Sequence, residues 1–431
     1  MRKIEISAPI TAAMVAELLP RAAVSIESVA ETVSEIIAEV KQNSLAALDA
    51  QAERFDGLKN VSFRVPKEVL AEALAELDNP LRAAIETSIA RVRAVSIATL
   101  PAAVKVELDQ GAFVEQFFVP VDSVGLYVPG GKAVYPSSVV MNVVPAQVAK
   151  VPRITVTSPA QHNGLPSPSV MATCALLGIE EVYGIGGASA IAAFAYGIPE
   201  IELEPVAMVT GPGNIFVAAA KRQLRGVIGI DSEAGPTEIL IVADKKANPR
   251  FIAADLISQA EHDQNAAAVL VTDSASLIER VEQELALQIP LAKNRDRIEM
   301  SLGSIQSALV LVADMNAAMA LANEYATEHL EIHTDNSEQL AGQVRHAGAV
   351  FVGAYSPVSL GDYLAGSNHV LPTGQQAKFS SGLSVFTFLR TQQHVTYSAR
   401  ALAAVADKLR IFSETEQLSA HGTAGTIRLE E

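Results

Sequence analysis

Glu238-Ile-Leu-Ile-Val242, Arg250-Phe-Ile-Ala-Ala-Asp-Leu-Ile-Ser-Gln-Ala-Glu261 and Ala267-Ala-Val-Leu-Val-Thr272 follow one another with short connections. The outer two are brief apolar runs, while the middle one repeats its apolar residues, Phe251-Ile252 and Leu256-Ile257, at helical spacing. Strand, helix and strand in that order form the unit of a parallel α/β sheet. The series continues with strands over 308–312, 330–334 and 349–352, and helices over 276–287, 317–326 and 338–346. An earlier series has the same form, with strands over 124–128, 154–157, 181–185 and 207–209, and helices over 137–150, 169–177 and 190–196. The pattern predicts an α/β protein of two similar Rossmann-like lobes with parallel sheets. Leu81, Ile85, Ile89, Val92 and Val95 recur at helical spacing after Asn79-Pro80, so the first hundred residues read as a helical N-terminal region. A hairpin is expected over 104–119, and a small C-terminal helical extension from Ser398 onward.

At 431 residues the chain exceeds what one core usually serves, and 49% hydrophobic residues supply ample material for two. A net charge of −16 opposes phosphate backbones and anionic membranes, which argues against nucleic acid or membrane partners. Cys174 is the only cysteine, so no intrachain disulfide is possible. Glu5 stands where a signal peptide would need its apolar core, and no uncharged apolar run reaches membrane-spanning length. A soluble, cytoplasmic protein is the expectation.

In such sheets ligands sit beyond the carboxyl ends of strands, in glycine-bearing loops. Gly125-Leu-Tyr-Val-Pro-Gly-Gly-Lys132 is not a P-loop, because Leu126 stands where the first glycine is needed and Ala133 follows the lysine. Gly184-Ile-Gly-Gly-Ala-Ser189 follows a strand and opens a helix as a dinucleotide fingerprint does, but Ser189 replaces its third glycine. Gly211-Pro-Gly-Asn214 repeats that arrangement one unit later, and two adjacent turns of this kind can line a nucleotide crevice.

Seven of the eight histidines lie from His262 onward. Gln259 and His262 share a helix face three residues apart, which is half a metal site. Taken alone, such a pair is more often a surface helix end than a ligand pair. His333, alternating with Glu331, and His346 on a polar helix face read as surface or satisfied core. Glu328-His329 puts a carboxylate beside an imidazole at a helix-to-strand junction. Asp362 and His369 share the glycine-bounded loop 361–374, and Glu416 and His421 lie near the C-terminus. Gln259, His262, Asp362 and His421 together would make a thiolate-free set suited to Zn²⁺ or another borderline divalent ion.

The segments Gly125-Leu-Tyr-Val-Pro-Gly-Gly131, Gly186-Gly-Ala-Ser-Ala190, Gly211-Pro-Gly-Asn214, Ala234-Gly-Pro-Thr-Glu238, Ser258-Gln-Ala-Glu-His262, Thr327-Glu-His-Leu330, Gly361-Asp362, Asn368-His-Val-Leu-Pro-Thr373 and Ser380-Ser-Gly-Leu-Ser384, in this order, resemble the L-histidinol dehydrogenase family nearly end to end. The resemblance implies oxidation of L-histidinol to L-histidine through the aldehyde, with two NAD⁺, one zinc per subunit and a homodimer whose active sites lie near the interface. It implies Gln259, His262, Asp362 and His421 as metal ligands that also border the substrate, His329 as general base and Glu328 as activator of water. Thr237, Tyr363, His369 and Glu416 would surround the substrate; Tyr127, Asn214 and Ser189, at a position where the family often has glutamine, would adjoin NAD. The corresponding division is an arm at 1–21, a metal-bearing first lobe at 22–126 and 238–383, an NAD-side second lobe at 127–237, and an extension at 384–431. A related dehydrogenase of another amino alcohol or a sulfonated diol, a metal-dependent hydrolase, and a noncatalytic nucleotide-binding scaffold are the alternatives.

Two expectations concern mechanism. The aldehyde must be hydrated, or captured by a thiol, before its second hydride can leave; Cys174 sits in an apolar helical run and reads as structural, so hydration is the expected route. Adjacent strand residues point to opposite faces, so Glu328 and His329 can work together only if the junction is irregular, with helical geometry ending at Thr327 and the strand beginning after Leu330.

Overall fold

The computed structural model describes residues 1–21, 26–59, 61–130, 134–233 and 235–430. Gly131, Lys132, Ala133 and Ala234 of the motifs above, and residues 22–25 at the expected start of the first lobe, lie outside the described residues. In chain order the strands are β1 (Arg2–Ile6), β2 (Val104–Asp109), β3 (Ala112–Pro120), β4 (Ser123–Tyr127), β5 (Arg153–Thr157), β6 (Val182–Tyr183), β7 (Met208–Thr210), β8 (Gly229–Ile230), β9 (Glu238–Ala243), β10 (Ala267–Thr272), β11 (Ala308–Val312), β12 (His329–His333), β13 (Ala349–Val352) and β14 (Leu389–Tyr397).

Two all-parallel sheets carry the lobes. One runs β6-β5-β4-β7-β8; the other runs β11-β10-β9-β12-β13, with β1 added at the β11 edge. Counted within each lobe the order is third, second, first, fourth, fifth, so the expected duplication of a Rossmann-like unit holds. Central strands such as β9 and β10 are buried along their whole length, because helices cover both faces and every side chain meets apolar material.

The division of the N-terminal half differs from expectation. Residues 22–126 were grouped with the metal-bearing lobe, yet the helices of this region pack on the other sheet. The Gly187–Tyr196 helix is buried from Ala188 to Ala195, so a further layer must cover it. Val33, Ile36, Ile37 and Val40 of the Ala30–Asn43 helix supply that cover. The Lys67–Ala75 and Asn79–Ala98 helices likewise pack on Pro168–Leu176 and Pro136–Val148. Periodicity identifies a helix but not the sheet it covers. Within the expected arm, β1 pairs in parallel with β11, and Val15 and Leu19 enter the same core as Ile6.

The C-terminal extension is not purely helical. β14 joins the β2–β3 hairpin as an antiparallel third strand, with Leu389 opposite Pro120 and Tyr397 opposite Ala112. Its sequence, Leu389-Arg-Thr-Gln-Gln-His-Val-Thr-Tyr397, is exposed at every position after the first, so no apolar alternation announces it. The helices Ala399–Thr415 and Ser419–Thr426 that follow pack chiefly on one another. No helix among the described residues is long and apolar enough to cross a membrane.

Candidate active site

The Glu328–His329 pair sits at the amino end of β12, beside the amino end of β9. Ala326 takes a left-handed backbone (φ 49°), Thr327 and Glu328 are irregular, and β12 begins at His329. The junction is irregular at 326–328, but helical geometry ends at Tyr325 rather than Thr327 and β12 begins at His329 rather than after Leu330. Glu328 therefore escapes strand alternation and both side chains serve one site, with His329 Nδ1 3.5 Å from Glu328 Oε2. Gly348 makes this possible, since a Cβ there would lie 2.6 Å from the Glu328 carbonyl oxygen.

Glu238 holds both residues through its backbone. Its N–H donates to Glu328 Oε2 at 3.0 Å, and its carbonyl accepts from His329 Nδ1 at 3.1 Å. With Nδ1 donating, the neutral imidazole keeps its lone pair on Nε2, which is buried and without a hydrogen-bond partner among the described residues. Thr237 Oγ1 donates to Glu328 Oε2 at 2.5 Å and so can only accept from Gln259 Nε2, also at 2.5 Å. That chain fixes the Gln259 amide and turns its carbonyl oxygen away from Thr237. Burial pushes the Glu328 carboxyl up to about 7, against the lowering effects of His329, the Thr237 hydroxyl and the Glu238 N–H.

Gln259 belongs to the Pro249–Ala260 helix and His262 lies just beyond it; Asp362 and Tyr363 end the short Val358–Tyr363 helix. Burial lowers the pKa of His262 while the nearby Asp362 charge opposes this, and the net lowering favours the neutral imidazole that a metal ligand requires. Gln259, His262 and Asp362 thus offer an amide oxygen, an imidazole nitrogen and a carboxylate, which fit a borderline divalent ion such as Zn²⁺. His369 is held on both sides: Nδ1 donates to the Asp362 carbonyl at 3.0 Å, and Nε2 accepts from Ser138 Oγ at 3.0 Å. Ser138 lies near the carboxyl end of β4, so the cluster stands between the amino edge of one sheet and the carboxyl edge of the other. Looking only beyond carboxyl ends misses Thr237, Glu328 and His329, because here the facing lobe closes the amino edge.

Within one chain the set is incomplete. Glu416 and His421 are exposed on the C-terminal helices and take no part in the cluster. Among the described residues, the His/Asp/Glu trio close enough to share a cation is Asp255, Glu331 and His333, which contains none of the predicted ligands. Glu331 and His333 are buried rather than on the surface. Burial and the Glu331 carboxylate push Asp255 up to about 8, so Asp255 keeps its proton at neutral pH. Glu331 accepts from His333 Nε2 at 3.1 Å and from the Val358 N–H at 2.9 Å, which ties the helix carrying Asp362 to β12.

A cavity of about 340 Å³ opens at the carboxyl edge of the five-stranded sheet, at the switch point between β4 and β7, and Tyr127, Ser189 and Asn214 all line it. The Tyr127 hydroxyl accepts from the Gly187 N–H at 3.2 Å, and burial pushes its pKa up to about 12, so it stays protonated and can still donate. Asn214 Oδ1 caps the Ile215–Leu224 helix, leaving its amide N–H groups for a ligand. At Gly211 (φ 111°) a Cβ would lie 2.1 Å from the Tyr127 carbonyl oxygen, so only glycine fits. Lys221 and Asp231, a buried ion pair, clamp that glycine through its carbonyl and N–H. Two turns meeting at one cavity is what the sequence pattern anticipated; the Lys221–Asp231 clamp carried no motif.

The histidinol dehydrogenase family profile matches residues 19–429. The chain belongs to the histidinol dehydrogenase family. It is 55% identical over 413 residues to the histidinol dehydrogenase of Thermobifida fusca, covering 95% of this chain and 94% of the relative. It is 52% identical to that of Leifsonia xyli over 96% of this chain and 95% of the relative. Its fold matches the crystal structure of histidinol dehydrogenase from Elizabethkingia anophelis with a TM-score of 0.95 at 29% identity, covering 100% and 98% of the two chains. Membership makes it an NAD-dependent oxidoreductase.

One support of a histidinol dehydrogenase site like this was invisible in the sequence. Arg21 makes a two-pronged ion pair with the buried Glu238 carboxylate (2.6 and 3.0 Å) and lies 4.1 Å from the Tyr325 ring centre. The Gly374 N–H adds a third donor at 3.0 Å. Arg21→Met strands that carboxylate and should cost about 3–5 kcal/mol. Urea denaturation should show a lower midpoint at unchanged slope, partly recovered by adding Glu238→Gln.

Proposed function

We propose that the chain oxidises L-histidinol to L-histidine through L-histidinaldehyde with two NAD⁺, as a zinc-dependent homodimer working in the cytoplasm. The observation that carries this is the hydrogen-bond chain from Gln259 through Thr237 to Glu328, with the unpartnered His329 Nε2 alongside. It joins a candidate ligand to an acid–base pair, which neither a nucleotide scaffold nor a single-step dehydrogenase needs.

The roles divide as follows. His329 Nε2 accepts the alcohol proton as the first hydride leaves for NAD⁺. Glu328, with Oε2 committed to Thr237 and Glu238, uses its other oxygen to take a proton from the water that adds to the aldehyde. The aldehyde oxygen takes back the proton held on His329, completing the gem-diol, which gives one hydroxyl proton to a base and its hydride to the second NAD⁺; the carboxylic acid so formed releases its remaining proton to solvent as the carboxylate. Cys174 is fully buried, and burial pushes its thiol up to about 12, which supports hydration over thiohemiacetal chemistry. Gln259, His262 and Asp362 would hold the zinc with His421, and the bound ion would orient the substrate's amino and imidazole nitrogens. Tyr363 and Glu416 border that substrate, His369 fixes the Asp362 end of the site, and Tyr127, Ser189 and Asn214 bind NAD in the cavity they line.

The test is a stoichiometry. L-histidinol with excess NAD⁺ should yield two NADH per molecule, with histidine as product. One NADH, or none, would select the alternative amino-alcohol dehydrogenase or the hydrolase.

A further inference from the structure

The reaction uses Glu328 and His329 but not Glu331, a fully buried acid two residues further along β12. Side chains alternate along a strand, so His329, Glu331 and His333 share one face of β12, while Leu330 and Ile332 enter the apolar core on the other. A carboxylate buried in this way needs donors for its oxygens. Oε2 accepts from His333 Nε2 at 3.1 Å, Oε1 accepts from the Val358 N–H at 2.9 Å, and the protonated Asp255 carboxyl donates a further bond. Protons on Asp255 and His333 thus balance the trio without a cation.

The elements that meet at this carboxylate each carry part of the candidate site. Val358 opens the Val358–Tyr363 helix, whose last turn bears Asp362. Asp255 lies one turn before Gln259 on the Pro249–Ala260 helix. Glu331 itself shares β12 with His329. The Val358–Tyr363 helix has 6 residues, too few to hold together alone, and its N-cap, Pro357, offers no side-chain bond. Glu331 supplies the missing acceptor from across the fold. We infer that Glu331 is a positioning residue: its carboxylate fixes the amino end of the Val358–Tyr363 helix to β12, and so sets where the Asp362 ligand stands relative to His329. Losing the tie frees that helix to shift and loosens the ligand set, while the ligands themselves remain. The inference rests on the reading that Gln259, His262 and Asp362 hold zinc.

Transfer of zinc from the full-length, zinc-loaded enzyme to a chromophoric chelator measures metal affinity without relying on turnover. Glu331→Met should weaken zinc binding by on the order of 10–100-fold, the loss usual when a group supporting a metal ligand is removed. Glu331→Gln keeps an oxygen for the Val358 N–H and should stay within about threefold of the native affinity. Val358→Pro deletes the N–H instead, at a first helical position where proline is accepted, and Pro357 (ψ 153°) already has the backbone that a following proline requires. It should match Glu331→Met, and it covers the case in which the methionine variant fails to fold. Ile332→Ala opens a cavity on the opposite face of the same strand, and should lower the melting temperature while leaving zinc affinity unchanged. His262→Ala, which removes a ligand outright, separates the two levels of the argument. If it loses zinc while Glu331→Met or Val358→Pro binds at native affinity, the positioning inference is overturned and the ligand reading stands. Equal weakening by Ile332→Ala overturns the inference too, because any loss of stability would then suffice. If His262→Ala holds zinc as the native protein does, both fail.

Discussion

His421→Ala alone should abolish turnover and bound zinc, and His262→Ala alone should do the same, yet mixing the two inactive proteins under subunit exchange should return about one quarter of wild-type activity. The reason lies in where His421 sits. It is exposed, on a helical pair that packs chiefly on itself, at the end of a three-stranded sheet whose outer strands are also exposed. The same arm shows Ile411, Phe412, Leu418 and Ile427 to solvent, together with Val104, Val106, Leu108 and Val395. So much apolar surface on one projection calls for a covering protein surface. A second copy, related by a two-fold axis, would cover it and bring Glu416 and His421 to the Gln259, His262 and Asp362 of its neighbour. In a mixed dimer one site then carries both lesions and the other carries neither. Random exchange makes half the dimers mixed, and half of their sites intact. Zinc content, measured by elemental analysis, should follow activity. No recovery after exchange, demonstrated with separately tagged subunits, would mean that His421 serves its own chain or none.

How much of this was legible beforehand depends on what each residue had to satisfy. Strands such as Glu238–Ala243 and Ala267–Thr272 declare themselves because both faces are covered, so every position after Glu238 is apolar or small. β1 does not, since an edge strand tolerates Lys3 and Glu5 on its open side. β14 does not, because it is exposed along its length in the single chain and carries no buried face to impose alternation. The Glu328–His329 pair could be picked out as carboxylate beside imidazole, but its partnership with Thr237 and Gln259 depends on β9 and β12 being neighbours, a topological fact that local pattern does not contain. Arg21 and Glu238 lie 217 positions apart and carry no motif. A charged residue opening an otherwise apolar buried strand was the available hint that Glu238 needed a cation.

Glu328→Gln should divide the two half-reactions. Oxidation of L-histidinaldehyde should fall by on the order of 10²–10⁴-fold, while oxidation of L-histidinol to the aldehyde, followed by the first NADH in a single turnover, should fall much less. The amide keeps an oxygen for the Thr237 hydroxyl and the Glu238 N–H, so the hydrogen bonds that position the side chain have a direct replacement. What is lost is a group able to take a proton from water. The alcohol step relies on His329, whose Nε2 lone pair is set by the bond from Nδ1 to the Glu238 carbonyl and not by Glu328. A pH signature accompanies the division. With its carboxyl pushed up to about 7, Glu328 is the protonated acid below that pH and the base above it. Aldehyde oxidation by the native enzyme should therefore rise as pH passes through about 7, and the glutamine variant should lose that rise because it has no proton to release there. Equal losses in both half-reactions, with the rise retained, would shift the water-activating role from Glu328 to another group, with His329 the nearest candidate.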